Sequence, residues 1–282
     1  MTALPQPKHV ASRRMAMAAC WVVLATALAL GCMAPDSQPS PGRPAQPGQG
    51  PGGREQPLGM SPNQELSVGR RAYRQVMAEY GSRVLSGSNS QVLRVRAIAA
   101  KIATAAEIEP LQREINLRLK GYRFEWEANV IQDNQVNAFC LPGGKVFVFT
   151  GILPVAQDDD QLATVMSHEV AHALAHHASE RLAREQSGVG VLRSLKYNRD
   201  QEAEADHIGL FLMTFAGYDP RQAVIFWERM QQRMGGQHPP EFLSDHPSDE
   251  HRIEAMKKWV PKAIAGKKAF DRGDIAPPPP GQ

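Results

Sequence analysis

The feature that most restricts this chain is one helix-length segment, residues 158–184, that is apolar nearly all round yet carries His168, Glu169 and His172 at its centre. Asp158-Asp159-Asp160 supplies a cap and an acidic first turn, where carboxylates oppose the positive end of the helix dipole. Leu162, Val165, Met166, Val170, Ala173 and Leu174 recur at helical spacing, and Ala171 and Ala175 carry the apolar surface round the other side. A helix of that kind must be wrapped by other elements. Two imidazoles and a carboxylate in its middle cost free energy unless a partner satisfies them. Residues four apart in a helix differ by about 40° in direction, so His168 and His172 leave one face at adjacent turns and can share a metal ion. Glu169 points about 60° away from His172, which is too far round to complete the same ligand set but suits a base that reaches the attacking water.

A catalytic zinc site takes three protein ligands and keeps one position open. The next helix, expected over 199–216, offers Glu202-Ala203-Glu204-Ala205-Asp206. Glu202 and Asp206 share a face, so one carboxylate can bind metal while the other orients a ligand imidazole through its free N–H. Glu204 points to another side and is the second choice as ligand.

The remaining elements define the fold class. Ser61-Pro62 opens a helix to about Tyr80, and a second helix covers 91–106. Residues 124–131 and 145–150 are rich in β-branched and aromatic side chains and read as strands, with a Pro-Gly-Gly turn before the second. Asp219-Pro220-Arg221-Gln222 opens an amphipathic helix through Met230, and a last helix spans 248–259. The pattern predicts an α+β domain over 61–265, mostly helical, with a small antiparallel or mixed sheet beside the histidine helix. His176 and His177 leave the helix away from the ligand face and read as structural, while His207, His238 and His251 have no supporting context. Cys140 lies in a sheet edge with no dedicated base, so it reads as a small hydrophobe.

The two ends read differently. Residues 1–31 show a basic stretch through Arg14, an apolar run from Met15 to Leu30 and small residues before Cys32, the layout of an export signal. Leu28-Ala29-Leu30-Gly31-Cys32 resembles the lipobox of bacterial lipoproteins, with Ala29 where a large aliphatic residue is usual. Lipid attachment at Cys32 ranks ahead of an uncleaved anchor or a plain cleaved signal. Residues 32–60 form a Pro/Gly-rich flexible linker, and 266–282 a disordered Pro-rich tail. Of the 32 basic residues, Lys8, Arg13 and Arg14 lie in the signal, which has no acid; without them 29 bases face 29 acids, so no nucleic-acid partner is inferred. Loss of Cys20 with the signal and blockage of Cys32 leave Cys140 alone, hence no intramolecular disulfide.

HEVAHALAHH followed by RDQEAEADHIGL resembles the gluzincin metallopeptidases of the prenyl-protease (CAAX protease) type, especially their bacterial periplasmic and lipoprotein branch. The resemblance covers about residues 61–262 and includes NQVNAFCLPGGKVFVFTGIL, AGYDP and DHPSDEHR. It implies a zincin-like fold and one Zn2+ per chain, held by His168, His172 and Glu202 with Asp206 behind them. It implies Glu169 as the catalytic base, His246 as a catalytic or oxyanion-stabilising histidine with Arg252 near it, and Asn137-Ala138-Phe139 as an exposed edge strand that takes the substrate backbone. The implied activity is endopeptidase cleavage of misfolded or unassembled envelope proteins, met as extended polypeptide. The implied location is a periplasm-facing lipid anchor in the cell envelope, with the outer membrane the first choice. The alternative is a zinc-containing, catalytically weak module that holds unfolded proteins as a chaperone. A purely structural zinc site fits poorly with a glutamate beside His168.

Overall fold

The computed structural model describes residues 48–49, 54–115, 117–188, 191–234, 241–246 and 250–274. The expected signal with Cys32, most of the linker, His238 and the last residues of the tail lie outside the described residues. The elements are β1 (Gly48–Gln49), β2 (Glu55–Gln56), α1 (Pro62–Tyr80), α2 (Ser90–Ala106), α3 (Glu109–Glu114), β3 (Glu127–Ile131), β4 (Ala138–Leu141), β5 (Lys145–Phe149), α4 (Asp159–Leu174), α5 (His177–Gln186), α6 (Val191–Phe215), α7 (Arg221–Met234), α8 (Glu241–Asp245) and α9 (Glu250–Asp271). The arrangement is the expected one, mostly helical with a small mixed sheet beside the histidine helix.

The caps predicted from sequence set the helix starts. Ser61 and Gln64 form a reciprocal capping box at α1, with Pro62 in the first turn. Asp158 accepts from the Gln161 N–H at 2.8 Å to open α4. In the sheet, β5 is central: β3 lies parallel to it and β4 antiparallel, in the order β3-β5-β4. Alternation along Lys145–Phe149 sends Phe147 and Phe149 toward Ala72, Val76 and Tyr80 of α1, and Val146 and Val148 into the main core with Val92, Ile98 and Ile102 of α2. Both faces are therefore covered, which leaves β4 as an edge beside α4.

The main core is built round α4, whose Leu162, Val165, Met166, Val170 and Leu174 are all buried. Its most extensive neighbour is α6. Their close approach depends on Gly209: a Cβ there would lie 3.0 Å from the His168 backbone nitrogen. This contact brings the acidic stretch of α6 level with the histidines of α4.

Several boundaries differ from the sequence reading, among them the start of α6, expected at 199 and found at Val191. The strand expected from 124 begins at Glu127, and the last helix runs through Asp271, past the expected domain end at 265. The helix expected to reach Arg184 ends at Leu174, because His176 adopts a left-handed conformation with φ 55°. That conformation is uncommon for a residue with a Cβ. Here Glu65 Oε1 lies 3.0 Å from His176 Nδ1, the Arg118 carbonyl accepts at 3.0 Å from Nε2, and the Tyr122 ring stacks at 3.6 Å. Upstream of the expected domain start, Gln56 and Met60 are buried; Gln56 Nε2 donates to the Ala175 carbonyl at 2.6 Å, and Met60 N to Ser179 Oγ at 2.9 Å. The last part of the expected linker is thus docked on the domain.

Gly69 on α1 sits where a Cβ would fall 1.7 Å from the Pro142 carbonyl oxygen, in the turn between β4 and β5. In an open helix Gly→Ala stabilises by about 1 kcal/mol. Gly69→Ala is expected to reverse that sign and destabilise by about 1–3 kcal/mol through overpacking, read from denaturant midpoints at unchanged slope.

Candidate metal centre

His168 and His172 emerge from one face of α4, with their Nε2 atoms 3.2 Å apart. Glu202 of α6 meets them: Oε2 lies 3.3 Å from His168 Nε2 and Oε1 lies 3.5 Å from His172 Nε2. His246, just after α8, joins the group with Nδ1 3.0 Å from Glu202 Oε2 and 3.2 Å from His168 Nε2. Ligand atoms from these four residues all lie within 4.8 Å of one another. Glu169 stands beside them, with Oε1 3.2 Å from His246 Nε2.

The hydrogen bonds behind the group show whether it suits a cation. Asp206 Oδ1 lies 3.1 Å from His168 Nδ1. With Nδ1 facing a carboxylate, which only accepts, Nε2 is the nitrogen left to bind a cation. Asp206 is held from behind by Arg252, whose Nε and Nη2 donate to it at 2.6 and 2.8 Å while the guanidinium lies 4.4 Å over the Trp227 ring. On the other side His177 Nε2 lies 3.1 Å from Glu204 Oε2, and His177 Nδ1 lies 2.8 Å from His172 Nδ1. His177 thus links Glu204 to the back of the His172 ring, whose Nε2 faces the group. Imidazole nitrogens and a carboxylate converge in a largely buried space, an arrangement that calls for positive charge between them, as a proton on His168 or as a bound cation. The donor set of two imidazoles and one carboxylate fits zinc.

Electrostatics agree with that demand. Burial disfavours charge on His168, but Asp206 and Glu202 outweigh it and hold the ring at about 9. For His172 burial wins, reinforced by His168, His177 and His246 against the pull of Glu202, and its value falls well below the ordinary imidazole range. Burial opposes charge on Glu202, yet His246, His172 and His168 keep it well below the usual carboxylate range. Burial also lowers His177, against its bond to Glu204.

A cleft of about 120 Å³ opens beside the group, walled by Ala138, Phe139, Cys140, Leu141 and Pro142 on one side and by Glu169, His172, His177 and His246 on the other. Phe139 lies on edge strand β4, while Asn137 precedes it and turns its side-chain oxygen to the Ala138 N–H at 2.8 Å. The cleft thus joins the expected strand to the expected catalytic group. Cys140 is held protonated by burial and by the nearby Glu169 charge, in keeping with the sequence reading.

Of the residues singled out, His168, His172, Glu202 and His246 converge, Glu169 and Asp206 stand against them with Arg252 behind Asp206, and Ala138 and Phe139 line the cleft. Glu204, the second choice as ligand, instead faces His177 and Arg54. Sequence reasoning missed His177, because the helix was continued through the break at His176. It also missed Arg54, which reaches Glu180 and Glu204 from the segment before β2. The doublet His176-His177 was the available signal, and a chain reversal between its members was not legible from spacing.

Comparison with known proteins follows the same line. The sequence profile described as peptidase family M48 matches residues 100–189 and 185–260. The chain is 35% identical over 229 residues to the mitochondrial metalloendopeptidase OMA1 of Schizosaccharomyces pombe, covering 73% of this chain and 64% of that protein. It is 35% identical over 226 residues to the Saccharomyces cerevisiae protein of the same name, covering 71% of this chain and 64% of that one. It is also 26% identical over 156 residues to the beta-barrel assembly-enhancing protease of Escherichia coli strain K12, covering 44% and 32%. The chain spans 64% of the length of the two fungal relatives.

The Arg54 network yields a pH expectation. Burial would raise the Glu180 carboxyl, but bonds from Arg54, Gln201 and Arg184 hold it down at about 2, below the ordinary 4.5. A carboxylate depressed on folding stabilises the fold above its unfolded value and loses that contribution as pH falls through its folded value. The gap in unfolding free energy between the wild type and Glu180→Gln is expected to narrow by on the order of 3 kcal/mol from pH 5 to pH 2, measured by denaturant melts.

Proposed function

Because the chain belongs to peptidase family M48, we propose that it is a zinc-dependent endopeptidase that cleaves extended segments of misfolded or unassembled proteins. The observation that carries this reading is the convergence of His168, His172 and Glu202 beside Glu169, at the edge of a cleft bordered by β4. His168, His172 and Glu202 would hold the ion, and Asp206 would orient His168 through its Nδ1–H. When bound, zinc supplies Lewis acidity, acidifying water and polarising a carbonyl.

The chain's own groups do the rest. Glu169 takes the proton of the attacking water and passes it to the leaving amine. His246, hydrogen-bonding distance from Glu169, donates to the oxyanion that develops on the scissile carbonyl. The edge of β4, which has no second partner strand among the described residues, pairs, together with Asn137 before it, with the substrate backbone as an added strand, which selects extended chain over folded domains.

The names of the fungal relatives give a mitochondrial setting and that of the bacterial relative gives none, so the location proposed for this chain rests on its N-terminal sequence. We assign an exported, membrane-tethered protein of the bacterial envelope, periplasm-facing and attached through lipid on Cys32, with the outer membrane the first choice. No helix among the described residues is long and apolar enough to cross a membrane.

Two measurements test the reading. Glu169→Gln should retain zinc but cut hydrolysis of an unfolded protein substrate by at least about 100-fold. Cleavage at the wild-type rate would discard Glu169 as the base, and would favour a holding module if the wild type were equally slow. Mass spectrometry of the mature protein should find an acylated N-terminal Cys32; an intact leader or a different first residue would end the lipoprotein assignment.

A further inference from the structure

His177 is buried, contacts the metal-facing group without belonging to it, and takes no part in the chemistry described above. Its ring bridges two partners. Nε2 lies 3.1 Å from Glu204 Oε2, and Nδ1 lies 2.8 Å from His172 Nδ1. Glu204 is itself gripped by Arg54, with Nη2 donating to Oε2 at 2.7 Å, and the same guanidinium donates to Glu180 Oε2 at 2.7 Å.

We propose that His177 is a positioning residue that fixes the tautomer and orientation of His172, completing a relay Arg54–Glu204–His177–His172. The inference rests on the zinc-peptidase reading and extends it to Arg54, Glu204 and His177, to which that reading gives no role. The hydrogen-bond logic runs in one direction only. A carboxylate facing a guanidinium accepts, so the His177 ring must present N–H to Glu204. Its other nitrogen then accepts, and His172 can meet it only by placing its hydrogen on Nδ1. The Nε2 lone pair of His172 is thereby committed to the metal position. Asp206 does the same for His168 with a carboxylate in direct contact. On His172 the carboxylate acts one ring further out, and the break at His176 is what swings His177 back to fill that gap.

The relay also explains why Arg54 is docked. Arg54 follows the Pro/Gly-rich stretch directly, and Gln56, two residues on, bonds the Ala175 carbonyl at the end of α4. The segment that leads out to the N-terminus thus terminates on the support of a ligand.

The test compares full-length wild type, His177→Phe and Glu204→Gln. Zinc affinity is measured by competition with a chromophoric chelator, and ligand geometry by the visible spectrum of the cobalt-substituted protein. His177→Phe keeps the ring volume but offers no acceptor, and Glu204→Gln leaves His177 in place while freeing its tautomer. Both should bind zinc about 10- to 100-fold more weakly than wild type. Both should also show an altered cobalt spectrum at wild-type far-ultraviolet circular dichroism. If His177→Phe does not fold, Glu204→Gln decides alone. Zinc affinity and cobalt spectrum matching wild type in a folded variant would overturn the relay while leaving the peptidase reading intact. A wild type that takes up no zinc would sink both.

Discussion

The whole arrangement turns on two imidazole lone pairs and a carboxylate aimed at one another inside a protein. Nε2 atoms of His168 and His172 stand 3.2 Å apart with Glu202 oxygens 3.3 and 3.5 Å from them. Without positive charge between them these groups are unfavourably placed, because burial weakens their hydration. With a divalent ion they become its shell, and the same burial strengthens the attraction. The surrounding structure reads as the means of holding that otherwise unfavourable cluster in place.

Three layers do the holding. The apolar surface of α4 fixes the histidines, and the close contact at Gly209 brings Glu202 and Asp206 against them. Behind the ligands, Asp206 with Arg252 and His177 with Glu204 settle which nitrogen of each imidazole carries hydrogen. Further out, Arg54 and Glu180 close the network with charge-assisted bonds. The cleft lies on the one side these layers leave open, where β4 runs as the sheet edge.

Much of this was legible in the residues because it is local. The caps at Ser61 and Asp158, the apolar periodicity of α4 and the four-residue spacing of His168 and His172 depend on neighbours in sequence. The pairing of Glu202 and Asp206 on one face is legible for the same reason. What stayed hidden depends on distant partners. The reversal at His176 is held by Glu65, the Arg118 carbonyl and the Tyr122 ring, none of them near it in the chain, and no periodicity signals it. Arg54 lies at the end of a stretch whose composition speaks for a flexible spacer, and its role comes from charges on α5 and α6. His246 was singled out as a donor set apart from the metal, whereas the structure brings its Nδ1 into the group of potential ligands.

The most direct check is a crystal structure of the zinc-loaded protein with anomalous data collected at the zinc edge. The account predicts one ion per chain, with His168 Nε2, His172 Nε2 and a Glu202 oxygen at about 2.0–2.2 Å and Glu169 outside the shell. An ion bound elsewhere, or one held by these histidines without Glu202, would contradict it.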